Sequence, residues 1–257
     1  GAGFESVALV LDITGNAITS PETGADITIH FLPVSVNGET DEQRMYEALE
    51  TQDAPNSTQV EFTWAAFVDD QASFEEALTT ESYETIYVMN DIHVDAKLNV
   101  NRTVTIDGND YTLTTSNSEY SSANSEKHLL GIGGDAVTIK NLVIDSNAIA
   151  YGVQAYTAEN AKLNDVTLQN SVGAGLTVNG SSVTAENLVT LNNAWGAVNV
   201  DPGSGVSELS EFTLTNGTLN EDTQIWSDGG NVTDTATVTV NAVNFEEYNF
   251  GETSGYS

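Results

Sequence analysis

The sequence predicts an all-β fold of the β-solenoid class, in which coils of chain stack on one another. Its most telling feature is an 11-residue phrase that recurs five times and aligns on positions 141, 165, 187, 216 and 242, with spacings of 24, 22, 29 and 26 residues. The copies are rich in β-branched residues, and helical periodicity is almost absent from them. A period of about 20–30 residues with this composition indicates a solenoid, whose functional surface is lateral rather than a central pocket. The copies read VTIKNLVIDSN, AKLNDVTLQNS, VTAENLVTLNN, FTLTNGTLNED and VTVNAVNFEEY.

Residues 1–70 do not share the repeat, and we predict that they form a small β-rich appendage. Runs at 7–13, 26–31 and 59–64 are rich in strand-forming residues and are separated by turn signals. A short amphipathic helix is predicted near 73–80, with Ser73 as the N-cap and Glu76 as its capping-box partner. Such a helix would cover the open end of the stack, where strand edges and apolar side chains are otherwise exposed.

The solenoid is predicted to span residues 71–250, with about six or seven coils spaced by ~4.8 Å. Each repeat supplies one strand, and a second strand follows at a similar distance, opened in three copies by glycine. Residues 114–127 are rich in Ser and Asn and lack periodicity, so they are predicted to be a loop between coils. Residues 251–257 form a polar tail. The predicted second strands lie at 152–155, 175–178, 196–200 and 224–226.

The segment YETIYVMNDIHVDAKLNVNRTVTIDGNDYTL, which follows the predicted helix, carries a family resemblance. It resembles the entry to the pectate-lyase-like right-handed parallel β-helix superfamily, and more narrowly the non-enzymatic, adhesin-like domains of bacterial secreted and cell-surface proteins. The resemblance covers about residues 70–250. It implies a single-stranded right-handed parallel β-helix, a secreted or cell-surface location, and a non-catalytic role in adhesion or glycan binding. The superfold also carries lyases and hydrolases, so a carbohydrate-active enzyme is the alternative.

Charge and composition limit the partners of this chain. The 38 acidic and 6 basic residues give a net charge of −32, which repels nucleic acid and anionic surfaces. No stretch approaches the ~18–20 apolar residues of a membrane helix, so we expect no membrane insertion. The absence of cysteine excludes disulfides and thiolate metal sites. We expect a monomer whose partner is a glycan or another ligand on a host or cell surface.

Four of the repeat anchors are predicted to be structural. Asn141, Asp165, Asn187 and Asn216 fall at the bend between two strands of each coil. Stacked Asn side chains can hydrogen-bond to one another and to the turn backbone, so we predict a ladder along the stack.

Three aromatic residues are candidates for ligand binding. Tyr151 and Trp195 each directly precede a turn glycine, and they are two coils apart, which is roughly 10 Å. Ala174 occupies the intervening coil, and Trp226 falls near an outward position one coil later. Aromatic faces lie flat against sugar rings and provide a large contact area, so these residues are a candidate glycan platform. The alternative is that they cover a coil corner or pack beneath the loop at 114–127.

Asp107 and Asp110 are the candidate metal ligands. With Asn109 they form a compact cluster of oxygen donors, and Ca²⁺ is the ion that such donors suit. The sequence Asp-Gly-Asn-Asp is also typical of a plain turn. The predicted function requires no cofactor.

The enzyme alternative finds little support in the residues. A polysaccharide lyase needs a base and a cation to neutralise a uronate carboxylate, but the basic residues do not stack on neighbouring coils. Hydrolases of this fold use Asp pairs, and the double Asp at 69–70 lies ahead of the coils. We therefore favour a non-enzymatic role and leave catalysis undecided. The six basic residues are Arg44, Lys97, Arg102, Lys127, Lys140 and Lys162.

Overall fold

A computed structural model describes residues 64–120, 126–202, 206, 209–227 and 236–241. The appendage predicted at 1–70 lies outside these residues up to position 63, and the polar tail at 251–257 lies wholly outside them. The described part of the chain contains no helix with the length and apolar character that a membrane crossing requires.

The described chain has one helix and sixteen strands arranged as a parallel β-solenoid of about seven turns, which confirms the predicted fold class. Every strand pairing within the described residues is parallel. In chain order the elements are β1 (Trp64–Val68), α1 (Gln71–Thr79), β2 (Tyr83–Val88), β3 (Ile92–His93), β4 (Leu98–Val100), β5 (Thr105–Asp107), β6 (Thr112–Thr114), β7 (His128–Ile132), β8 (Thr138–Asp145), β9 (Tyr151–Tyr156), β10 (Ala161–Gln169), β11 (Ala174–Asn179), β12 (Ser182–Leu191), β13 (Gly196–Asp201), β14 (Ser210–Leu219), β15 (Ile225–Trp226) and β16 (Ala236–Asn241).

The strands form two sheets along the solenoid. The first sheet has ten strands, and the repeated phrases supply its long members β8, β10, β12 and β14. The second sheet has six strands in the order β15-β13-β11-β9-β7-β4, and it contains the four second strands that the sequence predicted. Strand β1 falls within the range assigned to the appendage, but it pairs with β2 and belongs to the first coil.

The core consists of columns of side chains stacked from coil to coil. In one column Ile139, Leu163, Ala185 and Leu214 occupy the same register position, and all four are fully buried. This stacking follows from the alternation of inward and outward residues in each strand.

The long strands of the first sheet bend at the four anchor residues. Asn141, Asp165, Asn187 and Asn216 have φ angles of 50°, 55°, 54° and 51°. Asn and Asp tolerate this left-handed conformation better than other non-glycine residues, which explains their recurrence. Asn187 Nδ2 donates to Asp165 Oδ1 of the preceding coil at 2.9 Å, and Asn141 Nδ2 donates in the same way to Asp107 Oδ1 at 3.0 Å.

Helix α1 begins two residues earlier than predicted, with Asp70 rather than Ser73 as its N-cap. The Asp70 carboxylate accepts from the Ser73 amide at 2.8 Å, and Ser73 Oγ accepts from the Asp70 amide at 3.2 Å. The Asp70 carboxylate also complements the partial positive charge of the helix N-terminus. Asp70 of the double Asp at 69–70 therefore has a structural role. The helix buries Phe74, Ala77 and Leu78 against the core.

Arg102 connects the C-terminal end of α1 to the first coils through hydrogen bonds. Its Nη2 and Nε donate to the carbonyl oxygens of Ala77 and Leu78 at 2.9 and 3.0 Å, and its Nη1 donates to that of Tyr83 at 2.6 Å. The last carbonyls of a helix lack partners within the helix, so this guanidinium satisfies them directly.

The segment between β6 and β7 contains the loop predicted at 114–127, of which residues 121–125 lie outside the described chain. Tyr120 is buried, and its hydroxyl donates to the carbonyl of His128 at 3.0 Å. This contact joins the described residue Tyr120 to the start of strand β7.

Candidate functional site

A groove of about 860 Å³ runs along the outer face of the second sheet. Its floor follows one register position across the sheet, so the outward residue of each strand contributes in turn. In register order these residues are Asn99, Gly131, Gln154, Thr177, Asn199 and Trp226.

A chain of hydrogen bonds crosses the groove floor from coil to coil. Lys97 Nζ donates to Gln154 Oε1 at 3.3 Å, and Gln154 Nε2 donates to Asn179 Oδ1 at 3.2 Å. Asn179 Nδ2 then donates to Asp201 Oδ1 at 3.0 Å. The chain therefore begins at a cation and leads through two amides to a carboxylate.

The same chain is completed from the C-terminal side. With its amide oriented to satisfy both neighbours, Asn199 donates to Asp201 Oδ2 at 2.8 Å and accepts from Trp226 Nε1 at 3.1 Å. Trp226 is only 7% exposed, so most of its ring is covered although it lines the groove. We call this set the polar row: Lys97, Gln154, Asn179, Asp201, Asn199 and Trp226.

Lys97 reaches across the groove because position 131 has no side chain. A Cβ atom on Gly131 would lie 2.2 Å from Lys97 Cε, so any larger residue would displace the lysine. Burial lowers the pKa of the Lys97 amine, and the nearby charge of Glu126 acts in the opposite direction. The lysine is therefore a partly desolvated cation that is bonded within the polar row.

Three rings form an aromatic cluster at the edge of the groove where the strands begin: His128, Tyr151 and Trp195. The Tyr151 and His128 centroids lie 5.2 Å apart at 71°, and those of Tyr151 and Trp195 lie 5.0 Å apart at 51°. Trp195 is 55% exposed, whereas Tyr151 is 7% exposed. The Nζ atom of Lys127 lies 5.1 Å from the centroid of the Tyr151 ring.

The aromatic contact is closer than the separation of roughly 10 Å that coil spacing predicts. Tyr151 and Trp195 belong to coils that are not adjacent, but the coil between them has Gly173 and Ala174 at this corner. A Cβ atom on Gly173 would lie 2.6 Å from Tyr151 Cδ1. The Tyr151 ring therefore lies over the glycine and reaches Trp195.

The groove differs in charge from the rest of the molecule. No Asp or Glu is among the described residues that line it, although the chain has a net charge of −32. The one carboxylate of the polar row, Asp201, is bonded to Asn179 and Asn199. Amide and hydroxyl side chains predominate instead, alongside the aromatic rings. Such a surface can donate and accept hydrogen bonds without presenting a pair of carboxylates.

The candidate metal ligands lie elsewhere, on the first sheet. Asp107 forms an ion pair with Lys140 at 3.0 Å and accepts from Asn141 Nδ2 and from the Asn109 amide. Burial acts to raise the pKa of Asp107, but the hydrogen bonds from Asn141, Lys140 and Asn109 outweigh it and lower the pKa.

Asn109 and Asp110 form the turn that the sequence also suggested, with φ angles of 47° and 63°. Within the described residues, no three His, Cys, Asp or Glu side chains are grouped to hold a metal ion. The Asp107 carboxylate is bonded to Lys140, Asn141 and Asn109, and the role of Asp107 and Asp110 as metal ligands stays a prediction.

Sequence reasoning placed Tyr151, Trp195 and Trp226 near a ligand surface, and the structure places all three along the groove. It brings neither Asp107 nor Asp110 to the groove, and the four anchor residues lie on the first sheet. Sequence reasoning missed the amides of the polar row. Gln154 and Asn199 stand two and three residues after the glycines at 152 and 196, and this position early in the strand was the available signal.

The fold and the groove together define a parallel β-helix with an aromatic- and amide-lined surface on one lateral sheet. The chain belongs to the family described as "Putative pectate lyase-like adhesive domain", whose model matches residues 65–193, half of the chain. No curated protein matches it. Among solved structures it is similar to the alginate lyase from Paenibacillus sp. str. FPU-7, with 10% identity and a TM-score of 0.26 over 70% of this chain and 95% of that one. A likeness at that score carries no inference about activity.

Proposed function

We propose that this protein is a non-catalytic extracellular or cell-surface module that binds a glycan in the groove of the second sheet. The observation that carries the proposal is the exposed Trp195, stacked on Tyr151 beside a floor of amides. Aromatic faces contribute contact area to a sugar ring, and amides match the alternating donors and acceptors of its hydroxyls. Concave sites with a few placed polar groups are the usual form of a ligand site.

The proposed location and partners follow from the family and the charge. An adhesive family supports a secreted or surface role, with glycans of a host or another cell as the partners. The net charge of −32 argues against nucleic acid as a ligand. The interaction as proposed requires no cofactor and is made by a monomer.

The proposal is tested by screening the full chain on a glycan array with and without EDTA. We expect binding that EDTA leaves unchanged, that Trp195→Ala abolishes, and that Phe67→Ala retains. Phe67 is a matched control because it is a similarly exposed aromatic residue, at 67%, on the first sheet. Equal binding by all three proteins would contradict the groove as the site.

A second candidate function is a polysaccharide lyase, and Lys97 is the observation that favours it. Burial lowers the pKa of this amine, and a general base must be available in its neutral form. Hydrolysis is less supported, because it needs a pair of carboxylates and none lines the described groove. Array hits should therefore be assayed for unsaturated and reducing ends. Product that disappears in Lys97→Met would establish the lyase and overturn the non-catalytic proposal.

A further inference from the structure

We infer that the groove takes an uncharged glycan in an extended conformation, with about one sugar unit for each strand crossed, and not a polyuronate. This inference rests on the proposed function and names the class of ligand for that site. Three observations carry it: the partners of the nearby cations, the balance of charge along the polar row, and the regular spacing of the polar groups.

The cations near the groove already have partners. Lys97 is bonded to Gln154 and interacts with the charge of Glu126, and Lys127 lies over the Tyr151 ring. A chain of uronates carries one carboxylate for each sugar, so each additional unit would need another cation or a bridging metal ion. The described lining offers Lys97 and His128, and the described residues contain no cluster of three His, Cys, Asp or Glu side chains for a bridging metal ion.

The negative charge of the rest of the protein also disfavours a polyuronate in the groove. Ionic screening at physiological salt limits the field to about 8 Å, so local charges matter most. Along the polar row the positive end at Lys97 is balanced by Asp201, which leaves the floor with little net charge. Beyond the groove the chain is strongly acidic. A polyanion would therefore gain little electrostatic free energy in the groove and would be repelled on approach. A neutral glycan is not repelled by this field.

The spacing of the floor suits an extended chain. Neighbouring strands are separated by ~4.8 Å, which is close to the length of one sugar unit in an extended 1,4-linked glycan. From β4 to β15 the groove crosses six strands, and therefore about five such steps or ~24 Å. Amide or hydroxyl groups recur on β4, β9, β11 and β13 at Asn99, Gln154, Thr177 and Asn199. A glycan lying across the strands meets a new polar group at nearly every step.

The test is isothermal titration calorimetry of the full chain with two ligand sets at low and high NaCl. The neutral set consists of xylo-, cello-, manno- and chito-oligosaccharides of two to seven units, and the charged set consists of oligogalacturonates of equal length. We expect at least one neutral series to bind, with an affinity that rises to about six units and then levels off. That affinity should change little with salt, and oligogalacturonates should bind at least about tenfold more weakly.

Two variants separate charge from hydrogen bonding. Lys97→Met keeps the aliphatic stem but removes the charge and the hydrogen bond to Gln154 Oε1, so it should weaken neutral binding by less than Gln154→Ala does. Gln154→Ala removes a floor amide and should weaken the same ligand by about tenfold, with circular dichroism confirming the fold. Oligogalacturonate binding that is tighter than every neutral series, salt-sensitive and lost in Lys97→Met would overturn this inference and leave the groove a glycan site. Binding by neither set would overturn the proposed function as well.

Discussion

Replacing Gly173 with alanine tests whether the aromatic cluster depends on a missing side chain. The new methyl group would lie 2.6 Å from Tyr151 Cδ1 and 2.8 Å from Cε1. Carbon atoms in good contact are about 3.5–4.0 Å apart, so the ring must move by about 1 Å. Gly173 is not among the glycines with a left-handed φ, so the substitution adds no backbone strain.

The expected magnitude has two parts. Overpacking of this kind costs about 1–3 kcal/mol of unfolding free energy. Losing the offset contact between Tyr151 and Trp195 costs the aromatic cluster about 0.5–1.5 kcal/mol of stabilisation. If the binding free energy falls by the same amount, glycan binding becomes roughly two- to tenfold weaker. Urea unfolding monitored by circular dichroism measures the first part, and calorimetric titration with the best array ligand measures the second.

A matched control separates the two effects. In Gly217→Ala the methyl group would lie 3.0 Å from the carbonyl oxygen of Leu188 and 3.1 Å from Leu214 Cδ1, on the first sheet. It should lower stability while leaving glycan affinity unchanged. If Gly173→Ala bound the ligand as tightly as the parent protein, the reasoning that links this glycine to the platform would be refuted.

Two further predictions concern the stability of the coils. Arg102→Met should lower the unfolding free energy by about 2–4 kcal/mol, because it removes the donor to the carbonyl groups of Ala77, Leu78 and Tyr83. A urea midpoint equal to that of the parent would contradict the role of Arg102 in holding α1 to the coils. Asp107 has a pKa below its ordinary value of 3.8, so its ionised form stabilises the fold above that pH, and the contribution is lost as the pH falls through the folded-state pKa. The stability difference between the parent and Asp107→Asn should therefore be largest near about pH 6 and shrink in acid, and a difference that stays constant with pH would exclude this linkage.

The fold could be predicted from the sequence because every coil of a solenoid requires the same pattern of inward residues and the same kind of residue at the bend. Inward positions such as Ile139 and Leu163 alternate with polar ones in every copy, and each bend requires a residue that tolerates a positive φ. The first residue of α1 was harder to predict, because Asp70 and Ser73 are both good N-cap residues. The structure identifies Asp70 as the N-cap, since its backbone is the extended one that precedes the helix.

The site was less predictable, because it depends on relations between coils. That Lys97 reaches Gln154 depends on the empty position at Gly131, which the sequence separates by 34 residues from the lysine. The Tyr151–Trp195 contact depends in the same way on Gly173 in the coil between them. The periodicity of the sequence assigns each residue to a face of the solenoid. It does not indicate which side chains extend across a coil where a glycine leaves space.

The parallel pairing of the coils also determines how this protein responds to mechanical load. Its backbone hydrogen bonds between strands run along the solenoid axis, so tension between the two ends loads them coil by coil instead of all at once. Coils of 22 and 24 residues each release about 70–85 Å of extended chain when they peel away. Stretching would therefore lengthen the protein in steps, and the coils that are still folded would keep their part of the groove.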